Sequence, residues 1–386
     1  MDPNGSINPI GGFPRRRGPA VVVVLFLLPT LAAGAACFTS IFSFGDSIAD
    51  TGNQCILLPA DPPCTLPFGR TFFHRSTGRN GDGRLMIDFI AEYLGLPLVP
   101  PSLGGGNRSD FRTGANFAVG GATALDCELL KNRGIPCYLD NISLGVQLDW
   151  FRKLLPTLCD SSGACSSLLN NSLVLLGEIG GNDYNFAFSS GISLNKIQEL
   201  VPMVINTIGL ALKEVIKFGA TNILVPGNFP VGCVPRILSR FRSSNPRDYD
   251  PSTGCLAQYN QFAQLHNEQL QMELNDTRRL YPHVNIIYVD YYNALMPVYL
   301  SPKKFGFTGG VLEPCCSGFT GGVLKPCCNG GMNRSTICCD EPSTYVNWDG
   351  IHFTEATYRL IVKGIMKDGS LTNPNLNASS CLVGDP

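Results

Sequence analysis

A serine hydroxyl is a weak nucleophile until a base takes its proton, and this sequence carries residues for both parts. Ser47 follows an apolar run in Phe44-Gly45-Asp46-Ser47, on a turn that would end a strand. Far downstream, Asp349-Gly350-Ile351-His352 sets a carboxylate three residues before an imidazole. Histidine titrates near neutrality and suits a general base. A carboxylate on the same turn can accept its Nδ1 proton, fix the tautomer and stabilise the imidazolium. Two further clusters offer hydrogen-bond donors: Gly120-Gly121 after Asn116-Phe117-Ala118-Val119, and Gly180-Gly181-Asn182-Asp183. Fixed donors of this kind hold the negative charge that acyl transfer builds on a carbonyl oxygen, each contributing roughly 3 kcal/mol. Taken singly, every cluster has a plainer reading, Ser47 as a helix cap and the Gly and Asn residues as tight turns. Together they supply a nucleophile, a base, its orienter and oxyanion donors. His74, His266 and His283 lack an Asp at that spacing and read as surface or packing residues.

These clusters need elements to bring them together. Apolar runs predict strands at 40–44, 115–119, 173–176, 221–225 and 284–289. Helical spacing covers 85–94, 194–218 and 256–280, and Thr354 can cap a last helix with Glu355 in its first turn. Such alternation predicts a single α/β domain with a parallel sheet and helices on both faces. Ligands then bind at the carboxyl ends of the strands, and three of the four clusters fall at strand ends.

The chain of 386 residues is 44% apolar with a net charge of −1, which supports a packed core and gives no electrostatic footprint for nucleic acid. Residues 1–36 read as a signal peptide, with Arg15-Arg16-Arg17 before the apolar run Val21 to Leu28 and small residues at Ala33 to Ala36. No later run suggests a membrane span in the mature chain 37–386. Sixteen cysteines fit disulfides in an oxidising compartment. Cys55 and Cys64, Cys127 and Cys137, and Cys159 and Cys165 look like local staples, whereas the adjacent pairs Cys315-Cys316, Cys327-Cys328 and Cys338-Cys339 lack the spacing of zinc forks. Acceptor motifs for glycosylation stand at Asn107, Asn141, Asn170, Asn275, Asn333 and Asn377.

The blocks Phe44-Gly45-Asp46-Ser47-Ile48-Ala49-Asp50-Thr51-Gly52-Asn53, Gly114 to Ala122, Gly180-Gly181-Asn182-Asp183 and Asp349-Gly350-Ile351-His352 resemble, in order, the four blocks of the plant GDSL esterase/lipase family. That family is a branch of the SGNH hydrolases, and within it the sequence resembles the subgroup containing acetylajmalan esterase and sinapine esterase. The resemblance implies a flavodoxin-like, three-layer α/β/α fold with a five-stranded parallel sheet. It implies Ser47 as nucleophile, His352 as base and Asp349 as its orienter. Ser47, Gly121 and Asn182 would form the oxyanion hole, with Gly120 as the alternative glycine, and neither metal nor organic cofactor is expected. The reading is a secreted carboxylic ester hydrolase, in the apoplast or cell wall with the vacuole as an alternative. Its substrate would be an acetyl or phenolic ester of a small metabolite, with acetylated polysaccharide or lipid as alternatives. Transacylation and a non-catalytic binding role on the same scaffold are the competing functions. One departure from the family pattern stands out. Residues 305–316 are repeated at 317–328 with ten of twelve positions identical, which reads as a tandem duplication in a loop.

Overall fold

The computed structural model describes residues 38–106, 108–139, 142–320, 323–326 and 336–375. The expected leader, Asn107, Asn141, Asn333, Asn377, Cys327 and Cys328 lie outside them. Five strands run parallel, β1 (Ser40–Phe44), β2 (Gly114–Asn116), β3 (Ser172–Leu176), β4 (Asn222–Pro226) and β5 (Asn285–Val289), in the order β2-β1-β3-β4-β5. This is the flavodoxin-like doubly wound order. The five-strand expectation needs one addition, because the two-residue strand Thr372–Asn373 pairs antiparallel with β5 at the sheet edge.

Strand alternation divides the interior into two cores. Phe42 and Phe44, Val174 and Leu176, and Ile223 and Val225 point to one face. There they meet Phe151, Val204, Leu212, Phe262 and Leu270, from the helices Leu144–Leu158, Val201–Lys217 and Ala257–Leu280. Ile41, Leu173, Leu175, Leu224, Ile287 and Val289 point the other way, toward Ile90, Leu295 and Tyr358, from Met86–Tyr93, Tyr291–Leu300 and Glu355–Lys363. Phe151 anchors the first core, with ring centroids 5.7, 5.5 and 5.6 Å from Phe42, Phe44 and Phe117. Edge-to-face pairs of this kind add roughly 0.5–1.5 kcal/mol each beyond the area they bury.

Two local expectations shift for physical reasons. The helix expected over 194–218 is two, Leu194–Gln198 and Val201–Lys217, with Pro202 in the first turn of the second. Proline has no N–H to continue the ladder but fits a first turn. The strand expected at 115–119 ends at Asn116. Beyond it the chain still donates to β1 and its following turn, Phe117 N–H to Ser43 O at 2.7 Å and Val119 N–H to Gly45 O at 3.2 Å.

A second, three-stranded antiparallel sheet has the order β7-β6-β8, from β6 (Cys316–Thr320), β7 (Val323–Pro326) and β8 (Thr336–Cys338). The described disulfides are Cys55–Cys64, Cys127–Cys137, Cys159–Cys165, Cys233–Cys255, Cys315–Cys339 and Cys316–Cys338. The first three are the local staples expected from spacing. Among the described residues no helix is long and apolar enough to cross a membrane.

Candidate active site

Ser47 sits just past the carboxyl end of β1, on a turn the backbone can make only with glycine before it. Gly45 has φ +149°, and a Cβ there would stand 2.7 Å from Glu178 O. Gln147 clamps the same glycine, accepting from Gly45 N–H at 2.8 Å and donating to Gly45 O at 2.7 Å. Asp46 closes the turn by accepting from Ile48 N–H at 3.0 Å. Ser47 is thereby held at the rim with its side chain facing a cleft.

His352 reaches the serine from the loop before the last helix. Its Nε2 lies 2.8 Å from Ser47 Oγ, and its Nδ1 lies 2.8 Å from Asp349 Oδ2. Asp349 Oδ1 accepts from the N–H groups of Ile351 and His352 at 2.7 and 2.8 Å, so the carboxylate and the imidazole are locked on one turn. Burial opposes the imidazolium, but the charge of Asp349 and its hydrogen bond outweigh it and hold His352 above the usual histidine range. The geometry joins an alcohol, an imidazole and a carboxylate in one hydrogen-bonded chain, an arrangement able to generate a serine alkoxide equivalent.

The donor candidates separate once their bonds are traced. Gly120 N–H donates to Asp50 Oδ2 at 2.9 Å, so the alternative glycine is committed elsewhere. Gly121, in the left-handed region at φ +83°, lines the cleft with Ser47 and Asn182. The N–H groups of Ser47 and Gly121 donate to no acceptor among the described residues. Asn182, in the first turn of the helix Gly181–Ser189, donates from Nδ2 to Asp46 Oδ2 and to Ala122 O, both at 3.0 Å. To serve an oxyanion it must turn one of these N–H groups into the cleft.

Behind the rim lies a set of buried carboxylates that the sequence reading did not single out. Asp50 accepts from Gly52 and Asn53 N–H, both at 2.7 Å, and from Gln54 and Gly120 N–H, both at 2.9 Å. Asn53 Nδ2 donates to Asn116 O at 2.7 Å and to Ala118 O at 2.9 Å. Asp183 accepts from Ala124 and Leu125 N–H at 2.8 and 3.0 Å, and burial raises it to about 7. Burial also raises Asp46 to about 6. Burial and the neighbouring Asp46 push Glu178 well above its ordinary value. The other histidines stand apart from this set. His266 is buried against Tyr184 OH at 2.8 Å and lowered to about 3 by burial, while His74 and His283 are exposed.

Two cavities flank Ser47. A cleft of about 420 Å³ opens outward, lined by Ser47, His352, Gly121, Phe68, Tyr138, Phe186 and Arg236 among others. Its far wall comes from the loops closed by Cys55–Cys64 and Cys127–Cys137, joined by Tyr138 OH donating to Asp61 Oδ1 at 2.9 Å. A smaller pocket of about 60 Å³ also borders Ser47, lined by Ile48, Phe188, Phe229, Val231, Val234 and Phe353 together with the polar Asp46, Glu178, Asn185 and Asn228.

A family model described as GDSL-like lipase/acylhydrolase matches residues 41–365. A GDSL esterase/lipase of Arabidopsis thaliana is 51% identical over 352 residues, covering 90% of each chain. A second protein of that description from the same plant is 50% identical over 359 residues, covering 90% of this chain and 89% of its own. Sinapine esterase of Brassica napus is 48% identical over 349 residues, covering 89% of each chain.

Proposed function

The chain belongs to the GDSL-like lipase/acylhydrolase family and is a carboxylic ester hydrolase, and on that premise we propose that it works through an acyl-enzyme on Ser47. One observation carries the reading: the unbroken hydrogen-bonded chain Ser47 Oγ, His352 Nε2, His352 Nδ1, Asp349 Oδ2. His352 takes the Ser47 proton as Oγ attacks the ester carbonyl. Asp349 steadies the imidazolium. The N–H groups of Ser47 and Gly121, with one N–H of Asn182, hold the tetrahedral oxyanion. His352 then returns its proton to the departing alcohol. Water, deprotonated by the same imidazole, releases the acid and restores Ser47.

The two cavities support a division of the ester. The small pocket, apolar over most of its wall, suits a short acyl group such as acetyl by its size, and the larger aromatic-walled cleft suits the alcohol, for instance a phenolic one. Disulfides support an oxidising destination outside the cytosol, after removal of residues 1–36 from a single domain of 37–386. Asn170 and Asn275 are exposed and accessible as glycan acceptors. The test is Ser47→Ala in the secreted protein, assayed on a chromogenic acetate and labelled with a fluorophosphonate. Turnover should fall by roughly 10⁴-fold or more and labelling should vanish. Undiminished turnover would remove Ser47 from the chemistry.

A further inference from the structure

Five arginines of the described residues are ion-paired, Arg79 to Asp88, Arg84 to Glu92 and Glu355, Arg152 to Asp149 and Glu214, Arg279 to Asp276, and Arg359 to Glu355. Arg236 is not among them. It lines the cleft that holds Ser47 and His352, and it has no carboxylate at ion-pair distance among the described residues. Its one described side-chain hydrogen bond runs from Nη2 to the neutral Ser189 Oγ at 2.8 Å. The carboxylate that lines the cleft, Asp349, is hydrogen-bonded to His352.

A structural explanation would make Arg236 a cap for the carboxyl end of the helix Gly181–Ser189, where cations are favoured. Arg240 already fills that place, donating to Phe188 O at 2.9 Å and Ser189 O at 2.8 Å. Burial and repulsion by Arg240 lower Arg236 from its ordinary value, against the weaker attraction of Asp349. Arg236 is near enough to the reaction centre to disfavour the charged form of His352. The cleft therefore presents a guanidinium with no carboxylate at ion-pair distance among the described residues, beside aromatic walls from Phe68, Phe186 and Tyr138, which is the chemistry that recognises a carboxylate on an aromatic ring.

We propose that Arg236 is a specificity-determining residue that binds an anionic substituent, a carboxylate, on the alcohol part of the ester. The proposal rests on the serine-esterase reading above and deepens it. The substrate class is an acylated hydroxy-aromatic acid, with the short acyl group in the smaller pocket and the charged ring in the cleft.

The experiment compares three acetates of similar size: 4-acetoxybenzoate, its neutral methyl ester, and the cationic 4-acetoxyphenyl trimethylammonium. Each kcat/KM is divided by the alkaline hydrolysis rate of that ester, which removes leaving-group differences. The wild-type protein should prefer the anion over the neutral ester by about tenfold or more, the range of a charged hydrogen bond, and should disfavour the cation. Added salt should shrink the preference. Arg236→Gln should lower the anionic ester's kcat/KM at least about tenfold more than the neutral ester's, and Arg236→Lys should fall between, keeping charge but losing the fork. Inhibition of the unmodified protein gives a reading independent of any variant, with 4-hydroxybenzoate binding more tightly than 4-hydroxybenzamide. Equal normalised rates for the three esters, with the neutral one well hydrolysed, would overturn the anion site and leave the esterase reading intact. No hydrolysis of any ester, together with no fluorophosphonate labelling, would overturn both.

Discussion

The two sides of the candidate site are built by different means. Ser47 stands on the parallel sheet, and its surroundings are fixed by buried side chains that cap backbone groups, Asp46, Asp50, Gln147 and Asp183. His352 and Asp349 stand on a loop whose approach is held covalently. Cys315 N–H donates to Asn347 O at 2.9 Å and Cys316 N–H to Trp348 O at 2.8 Å, while Cys315–Cys339 and Cys316–Cys338 tie those two cysteines to β8 and the residue after it. Trp348 is fully buried against Phe68, with ring centroids 5.8 Å apart, and the next residue is Asp349. The comparison teaches that the proposed nucleophile is placed by a strand end and the buried polar side chains around it, whereas the proposed base, from a long excursion off the sheet, is placed by disulfides and one large aromatic anchor.

Perturbations should separate the two sides. Beyond loss of Ser47 itself, the largest effect belongs to the His352 side. Asp349→Asn should lower kcat/KM by about 10⁴-fold, since the imidazole loses its tautomer and its partner. It also removes the leading cause that raises His352, so the acid limb of the pH–rate profile should move to lower pH. In the unmodified protein the base must be neutral, so activity should rise with pH through a value above the ordinary histidine 6.5. Stability runs the opposite way. A histidine raised in the folded state contributes stability below its unfolded pKa, and that contribution is lost as pH climbs through the folded one. The contribution of His352 to stability is therefore greatest where the enzyme is least active, and thermal melts against pH of the wild type and a His352→Gln variant would check it. On the Ser47 side, Asn182→Ala should cost roughly 10²-fold in kcat, and it also removes the bonds that tie Asn182 to Asp46 and Ala122.

Removing a staple tests whether the covalent side positions the base. Cys316→Ala with Cys338→Ala should lower unfolding stability by about 3 kcal/mol and also reduce kcat/KM measured well below the melting temperature. A lower melting temperature with unchanged kcat/KM would mean that the bond supports the fold without holding Asp349. The smallest effect should come from deleting residues 317–328, the second copy of the repeated segment. It removes β7 and most of β6 but leaves Cys315 and Cys316, and the remaining copy, identical at ten of twelve positions, can take the same place. Secretion and kcat/KM should be preserved, and loss of both would show that the second copy is integrated with the base-carrying loop.

Much of this arrangement was legible in the chain. Alternating apolar runs announced the sheet because strand periodicity is written locally, and the four polar-glycine clusters stood out by type and order. What stayed hidden depends on distant partners. Gln147 clamps Gly45 from 102 residues away, and Asp183 caps Leu125 from 58. Arg236 gave no signal in sequence because its meaning lies in what does not neutralise it. The repeated segment shows the limit most directly. Phe307 in the first copy is buried in irregular backbone, whereas its counterpart Phe319 in the second lies on β6. Nearly identical residues take different backbones because tertiary context outweighs local propensity.

Asp50 has a consequence for anyone hoping to move this chemistry to another scaffold. Its carboxylate holds the chain just after Ser47 and the glycine before Gly121 in one grip, with Asn53 laced across to residues 116 and 118. The smallest portable unit is then not the serine turn but both loops with the acid between them, to be grafted together or not at all.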